Sequence, residues 1–126
     1  MTMMPRMPIV PGASSRIPLI DASQFDELQT NLGEELTAHL LRMFLDDLDQ
    51  SPSAIAAHQR ARDDQAATRA AHTLKGAALA VGCRRVATIA FAIERSVPLE
   101  RDAFCDELFT AAAETRALIV TLPPPA

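Results

Sequence analysis

The chain has no tryptophan or tyrosine, and only five phenylalanines, four glycines and two cysteines in 126 residues. Without aromatic clusters there is no platform on which nucleic-acid bases could stack, and a net charge of −4 disfavours a polyanionic partner further. Gly12, Gly33, Gly76 and Gly82 lie too far apart to build a phosphate-cradling loop, so the nucleotide site of a kinase or ATPase is not expected. Cys83 and Cys105 form no Cys-x-x-Cys and are too few for a disulfide scaffold or a structural zinc site, which leaves reduced thiols as the expectation. Charge interrupts every apolar run well before the roughly 20 residues that a bilayer crossing requires, so no direct membrane insertion is expected. Pro5, Pro8 and Pro11 break up the region where a secretory signal would need its apolar stretch, and a cytoplasmic location follows as the expectation.

Proline is scarce where it would matter. Of nine prolines only Pro52 and Pro98 fall between Pro18 and Pro123, which leaves that stretch free to be helical. Residues 1–17 read as a flexible arm, 18–122 as one folded unit and 123–126 as a proline-rich tail. A first helix fits Ser23–Leu32, capped by Asp21 or Ser23 and stopped at Gly33, with Phe25 and Leu28 inward. A second begins at Glu34 with Leu36, Leu40, Phe44 and Leu48 as its inner stripe, widened by Leu41 and Leu45. At Pro52 it either ends, with Ser51 capping a successor, or continues as one long bent helix. A third starts at Asp63 and Asp64 and buries Ala67, Ala71, Leu74, Ala78 and Val81. A fourth uses Val86, Ile89, Ala90 and Ile93 and ends near Ser96, because Pro98 drives Val97 out of helical geometry. The fifth starts near Leu99 and presents Phe104, Leu108, Ala111, Thr115, Leu118 and Leu122, backed by Ile119. No alternating β-branched run is present. The expected fold is all-α: an up-down antiparallel four-helix bundle with a short N-terminal helix capping one end.

The chemistry concentrates in the third helix. Of 12 basic residues Lys75 is the single lysine, and it stands three positions after His72 and one before Gly76. Positions i, i+3 and i+4 share a helix face, so these residues form one patch: a nucleophile, a cation and a gap. A lysine ammonium is a compact charge on a flexible stem that can follow a phosphoryl group, whereas arginine favours a fixed fork. Glycine inside a helix costs about 1 kcal/mol relative to alanine, and clearance for an approaching partner would explain Gly76. A lone histidine or glycine is ordinary; the combination is not. Residues 60–85 also carry Arg60, Arg62, Arg69, Lys75, Arg84 and Arg85 against Asp63 and Asp64, locally +4 in a chain of −4. Such a face suits an acidic partner. Arg60 and Arg62 read as solvated surface, while Arg69 and Arg84 are the better contact candidates, together with Thr68 and an exposed Leu79 on the His72 face.

The segment His72-Thr73-Leu74-Lys75-Gly76, followed by five residues and Gly82, resembles the signature of histidine phosphotransfer (HPt) domains. The resemblance runs from Pro18 to Leu122 and takes in Ile20, Asp21, Phe25, Leu28, Gly33, Phe44, Leu45, Val86 and Glu94. Val86 stands where leucine is commoner in the family, and Cys83 where alanine is. The resemblance implies that His72 is the phosphoacceptor, attacking through Nε2, with Lys75 stabilising phosphate charge and Gly76, Thr68, Arg69, Leu79 and Arg84 at the docking surface. It implies a phosphocarrier with no kinase activity, no metal and no cofactor of its own, magnesium belonging to the partner. The implied partners are receiver domains of a hybrid sensor histidine kinase and of a response regulator, and a monomer is expected. Two other readings stand beside it. A helical adaptor could bind a receiver or kinase domain without exchanging phosphate. A metal site is disfavoured, since Glu35 and His39 are the only acid and histidine at helical spacing and the paired Glu-x-x-His of di-iron bundles is missing.

Overall fold

The computed structural model describes residues 13–122. Among them are a 3-10 helix, Ala13–Arg16, and five α-helices with no strand: α1 Ala22–Leu32, α2 Glu34–Arg60, α3 Asp64–Ala80, α4 Arg84–Arg95 and α5 Pro98–Val120. They form a helical bundle in which α3 packs on α2 and α4, α5 packs on the same two helices, and α1 lies against α2. Residues 1–12 of the expected arm and the tail 123–126 lie outside the described residues. Within the stretch read as arm, Ser14 is buried with its hydroxyl donating to Glu107 at 3.2 Å, and Arg85 grips the carbonyls of Ser15 and Ile17 at 3.1 and 2.8 Å.

Each helix boundary has a local cause. The Asp21 carboxylate accepts from the Gln24 amide at 3.1 Å to start α1, and Gly33, at φ 85°, ends it. The Asp63 carboxylate does the same for Ala66 at the head of α3. α3 stops in a Schellman turn: the Cys83 amide donates to the Ala78 carbonyl at 2.9 Å and the Gly82 amide to Leu79 at 3.3 Å, with Gly82 at φ 77°. The second glycine of the motif therefore reverses the chain so that α4 can return along α3. α2 ends in the same hydrogen-bond pattern, from Asp63 to His58 and Arg62 to Gln59, but there the left-handed position is filled by Arg62 at φ 57°.

α2 runs without interruption through Pro52, which is buried, so the single long helix is the outcome of the two alternatives. Of the expected inner stripe, Leu41, Phe44 and Leu48 are buried and Leu40 and Leu45 pack partly against the core, but Leu36 does not. Leu36 is 45% exposed, and the fully buried positions are Thr37, Leu41, Phe44, Leu48, Pro52 and Ile55. Steps of four advance 400° around a helix and drift off the core face, whereas mixed steps of three and four stay on it. The same correction applies to α5, where Leu118 is exposed and its neighbour Ile119 is buried. α3 buries Ala67, Ala71, Leu74 and Ala78 with Val81 beyond its end, and α4 buries Val86, Ile89, Ala90 and Ile93, as their periodicity predicts. α1 has no fully buried residue; Phe25 packs against the core only in part.

Candidate functional site

The alanine and leucine stripe of α3 turns the opposite side of that helix outward and so decides what is presented. His72 projects from it with its side chain 65% exposed. Its Nδ1 lies 2.6 Å from Oε2 of Glu94 on α4, and Lys75 Nζ donates to the other oxygen, Oε1, at 2.7 Å. One carboxylate therefore holds both residues, with 17% of its side chain exposed and 21% of that of Lys75. The Lys75 ammonium also sits 5.1 Å from the centre of the Phe91 ring, and the Arg95 guanidinium 5.8 Å from the same ring.

The Lys75 hydrogen bond, ahead of that from His72, holds the Glu94 carboxyl below its ordinary range, against the opposing effect of burial. At neutral pH Glu94 is then an acceptor with no proton to give, so the hydrogen at Nδ1 must belong to the imidazole. In a neutral ring this leaves the lone pair on Nε2. Glu94 thereby sets both the tautomer of the neutral ring and its orientation.

Gly76 is exposed, and a Cβ placed on it would meet no side chain or neighbouring helix within 4 Å. Thr68 is half-buried, Arg69 is exposed and Leu79 is 49% exposed on the His72 side of α3. The Leu79 carbonyl accepts from the Gln24 side chain, which ties α1 to the end of α3. Arg84 is not brought to His72. It begins α4, about 15 Å along the helix from Glu94 at 1.5 Å per residue, and lies 3.5 Å from Asp21. Arg85 faces away from the patch, to Ser15, Ile17 and Glu114. Among the described residues no group of three His, Cys, Asp or Glu could hold a metal ion, and no helix is long and apolar enough to cross a membrane. Both cysteines are buried, and desolvation pushes the Cys83 thiol up to about 12, far from reactive.

Sequence reasoning placed Glu94 among the resembling positions but gave it no role. A signal was there. A helical hairpin centred on Cys83 sets residues at equal distances before and after it side by side, and His72 with Glu94, and Lys75 with Phe91, are two such pairs.

The Hpt domain family model matches residues 39–118, more than half of the chain, and the protein belongs to that family. No curated protein and no solved structure matches it. The matched span contains His72, Lys75, Gly76, Gly82 and Glu94, and omits α1. Hpt domains are helical phosphocarrier modules of two-component signalling, distinct from kinases, and they interact with receiver domains.

Proposed function

We propose that this protein is a phosphorelay intermediate in which His72 accepts a phosphoryl group from the aspartate of one receiver domain and passes it to another. The observation that carries this reading is the Glu94 carboxylate on Nδ1, which puts the lone pair of a neutral ring on Nε2 of a side chain that is 65% exposed. The Nε2 lone pair forms the N–P bond as the P–O bond to the receiver's aspartate breaks, and that carboxylate departs with the electron pair. Attack by a neutral ring makes it an imidazolium. Its Nδ1–H stays on Glu94, whose negative charge stabilises the positive charge that develops, the role a buried aspartate plays beside the histidine of a serine protease. Lys75 supplies charge to the phosphoryl oxygens, and Gly76 leaves room for the receiver. Little more is needed from this side, because phosphoryl transfer depends chiefly on positioning and charge. The magnesium and the acidic pocket belong to the receiver, and the chain itself performs no ATP chemistry.

In this reading the four longer helices run up and down in antiparallel order, α1 closes one end, and the domain acts as a cytoplasmic monomer between the receiver of a hybrid sensor kinase and that of a response regulator. Thr68, Arg69 and Leu79 flank the docking site. Arg84 belongs to its margin. The test is incubation with a receiver domain already phosphorylated on its aspartate. Acid-labile phosphate should appear on the wild-type protein and be absent from His72→Gln; stable binding with no phosphate on the wild type would make it an adaptor.

A further inference from the structure

We propose that Arg95 is a second cation of the transfer site, held there by the Phe91 ring, and that it contacts the phosphoryl group during transfer. The proposal rests on the phosphocarrier reading. Lys75 is already matched by Glu94 at 2.7 Å, and the nucleophilic form of His72 is neutral, so the triad as a whole has no net charge. An arriving phosphoryl group brings oxygens carrying between one and two negative charges. If Lys75 turns toward them, Glu94 is left facing His72 alone, and the charge deficit remains.

Arg95 is the residue placed to make up that deficit. It follows Glu94 in α4, is exposed, and among the described residues has no carboxylate partner. Its guanidinium lies 5.8 Å from the Phe91 ring centre, while the Lys75 ammonium lies 5.1 Å from the same point. Both separations fall within the roughly 6 Å over which a cation is attracted to an aromatic face. One half-buried ring thus lies within reach of two cations, and one of them, Lys75, shares the Glu94 carboxylate with His72. An anionic phosphoryl group arriving at His72 attracts both cations. The two side chains also differ usefully in form. Lysine offers a mobile point charge, and arginine a planar fork that can take two oxygens together. Arg69, on the other flank of His72, is exposed but has no ring to fix it.

The experiment follows phosphate transfer from a receiver domain loaded with acetyl phosphate to the wild-type chain, Arg95→Gln, Arg95→Lys, Phe91→Leu and Lys75→Ala, over a range of receiver concentrations. Arg95→Gln should lower the transfer rate at saturating receiver by about tenfold, the scale of one charge-assisted hydrogen bond, with an unchanged melting temperature. Arg95→Lys should recover part of the loss. Phe91→Leu, which keeps the charge but not its support, should fall between Arg95→Gln and wild type. A wild-type saturating rate in Arg95→Gln, with Lys75→Ala slowed, overturns the proposal and leaves the phosphocarrier reading standing. A defect confined to half-saturation also overturns it, since Arg95 would then touch only the receiver. A wild-type chain that takes no phosphate overturns both.

Discussion

At Glu94 a single carboxylate divides its two oxygens between a nucleophile and a cation, and removing it should uncouple them. In Glu94→Ala the imidazole loses the acceptor that keeps its proton on Nδ1, and transfer should slow by about 10-fold or more, a range that starts at the cost of losing the partner that orients a metal-bound histidine. Glu94→Gln retains an acceptor oxygen without the charge and should lie between the two. Nitrogen NMR of the His72 ring, alongside single-turnover transfer, checks both statements; unchanged tautomer and rate in Glu94→Ala would remove the assigned role. The pH dependence has a definite sign. The folded carboxyl titrates below its unfolded value near 4.5, so its contribution to stability is complete above that value and disappears as pH falls through the lower, folded one. A carboxyl-carbon titration should therefore give Glu94 a midpoint below 4.5. Gly76 separates stability from function. With open space around a Cβ, Gly76→Ala should hold or raise stability, by up to about 1 kcal/mol, while Gly76→Gln should block docking of a receiver. Thermal midpoints and transfer rates on the two variants are sufficient, and marked destabilisation by Gly76→Ala would mean that the glycine serves packing.

At the scale of the helices, the two Schellman turns show how far local chemistry determines the path of the chain. Gly82 makes the α3–α4 reversal at little cost, but Arg62 holds a left-handed conformation at the end of α2 that costs a side-chain-bearing residue roughly 1–2 kcal/mol. Arg62→Gly should raise stability by about 1 kcal/mol and leave transfer unchanged, measurable by denaturant titration and the receiver assay. The corrected stripe of α2 offers a second contrast. Leu41→Ala should cost about 2–5 kcal/mol as a buried truncation, and Leu36→Ala well under 1 kcal/mol. Helix existence and termini were legible because caps, glycines and prolines act through neighbouring residues. The face of a long amphipathic helix was less so. Leu36, Leu40 and Leu41 are equally apolar in sequence, and only packing against α3 and α5 decides among them.

At the scale of the whole molecule, what escaped the sequence were the residues whose partners come from other helices. No pattern in the sequence singles out Arg101, yet it is 3% exposed. It donates to Gln59 and Asp64 at 3.2 and 3.1 Å and to the Ser96 carbonyl at 3.0 Å, drawing together the ends of α2, α3 and α4. Arg116, paired with Asp49 at 3.1 Å, is an ion pair in the open. Arg101→Ala should therefore cost about 1–3 kcal/mol, because it removes the packing of a buried side chain and the hydrogen bonds it donates, whereas Arg116→Ala should change stability by less than about 1 kcal/mol. Equal losses in a thermal or urea unfolding series would contradict this distinction. The phosphoacceptor candidate and its lysine were visible because they lie three residues apart in one helix. Glu94 required the return of α4, and Arg85 the folding back of the N-terminal stretch.

The most direct test of the account is to phosphorylate the nitrogen-labelled protein from a loaded receiver and locate the phosphate by phosphorus and nitrogen NMR. One N–P bond is expected, at Nε2 of His72, with the Nδ1 proton still present and protected by Glu94. Phosphate on Nδ1, or on His39 or His58 with His72 unmodified, would contradict it.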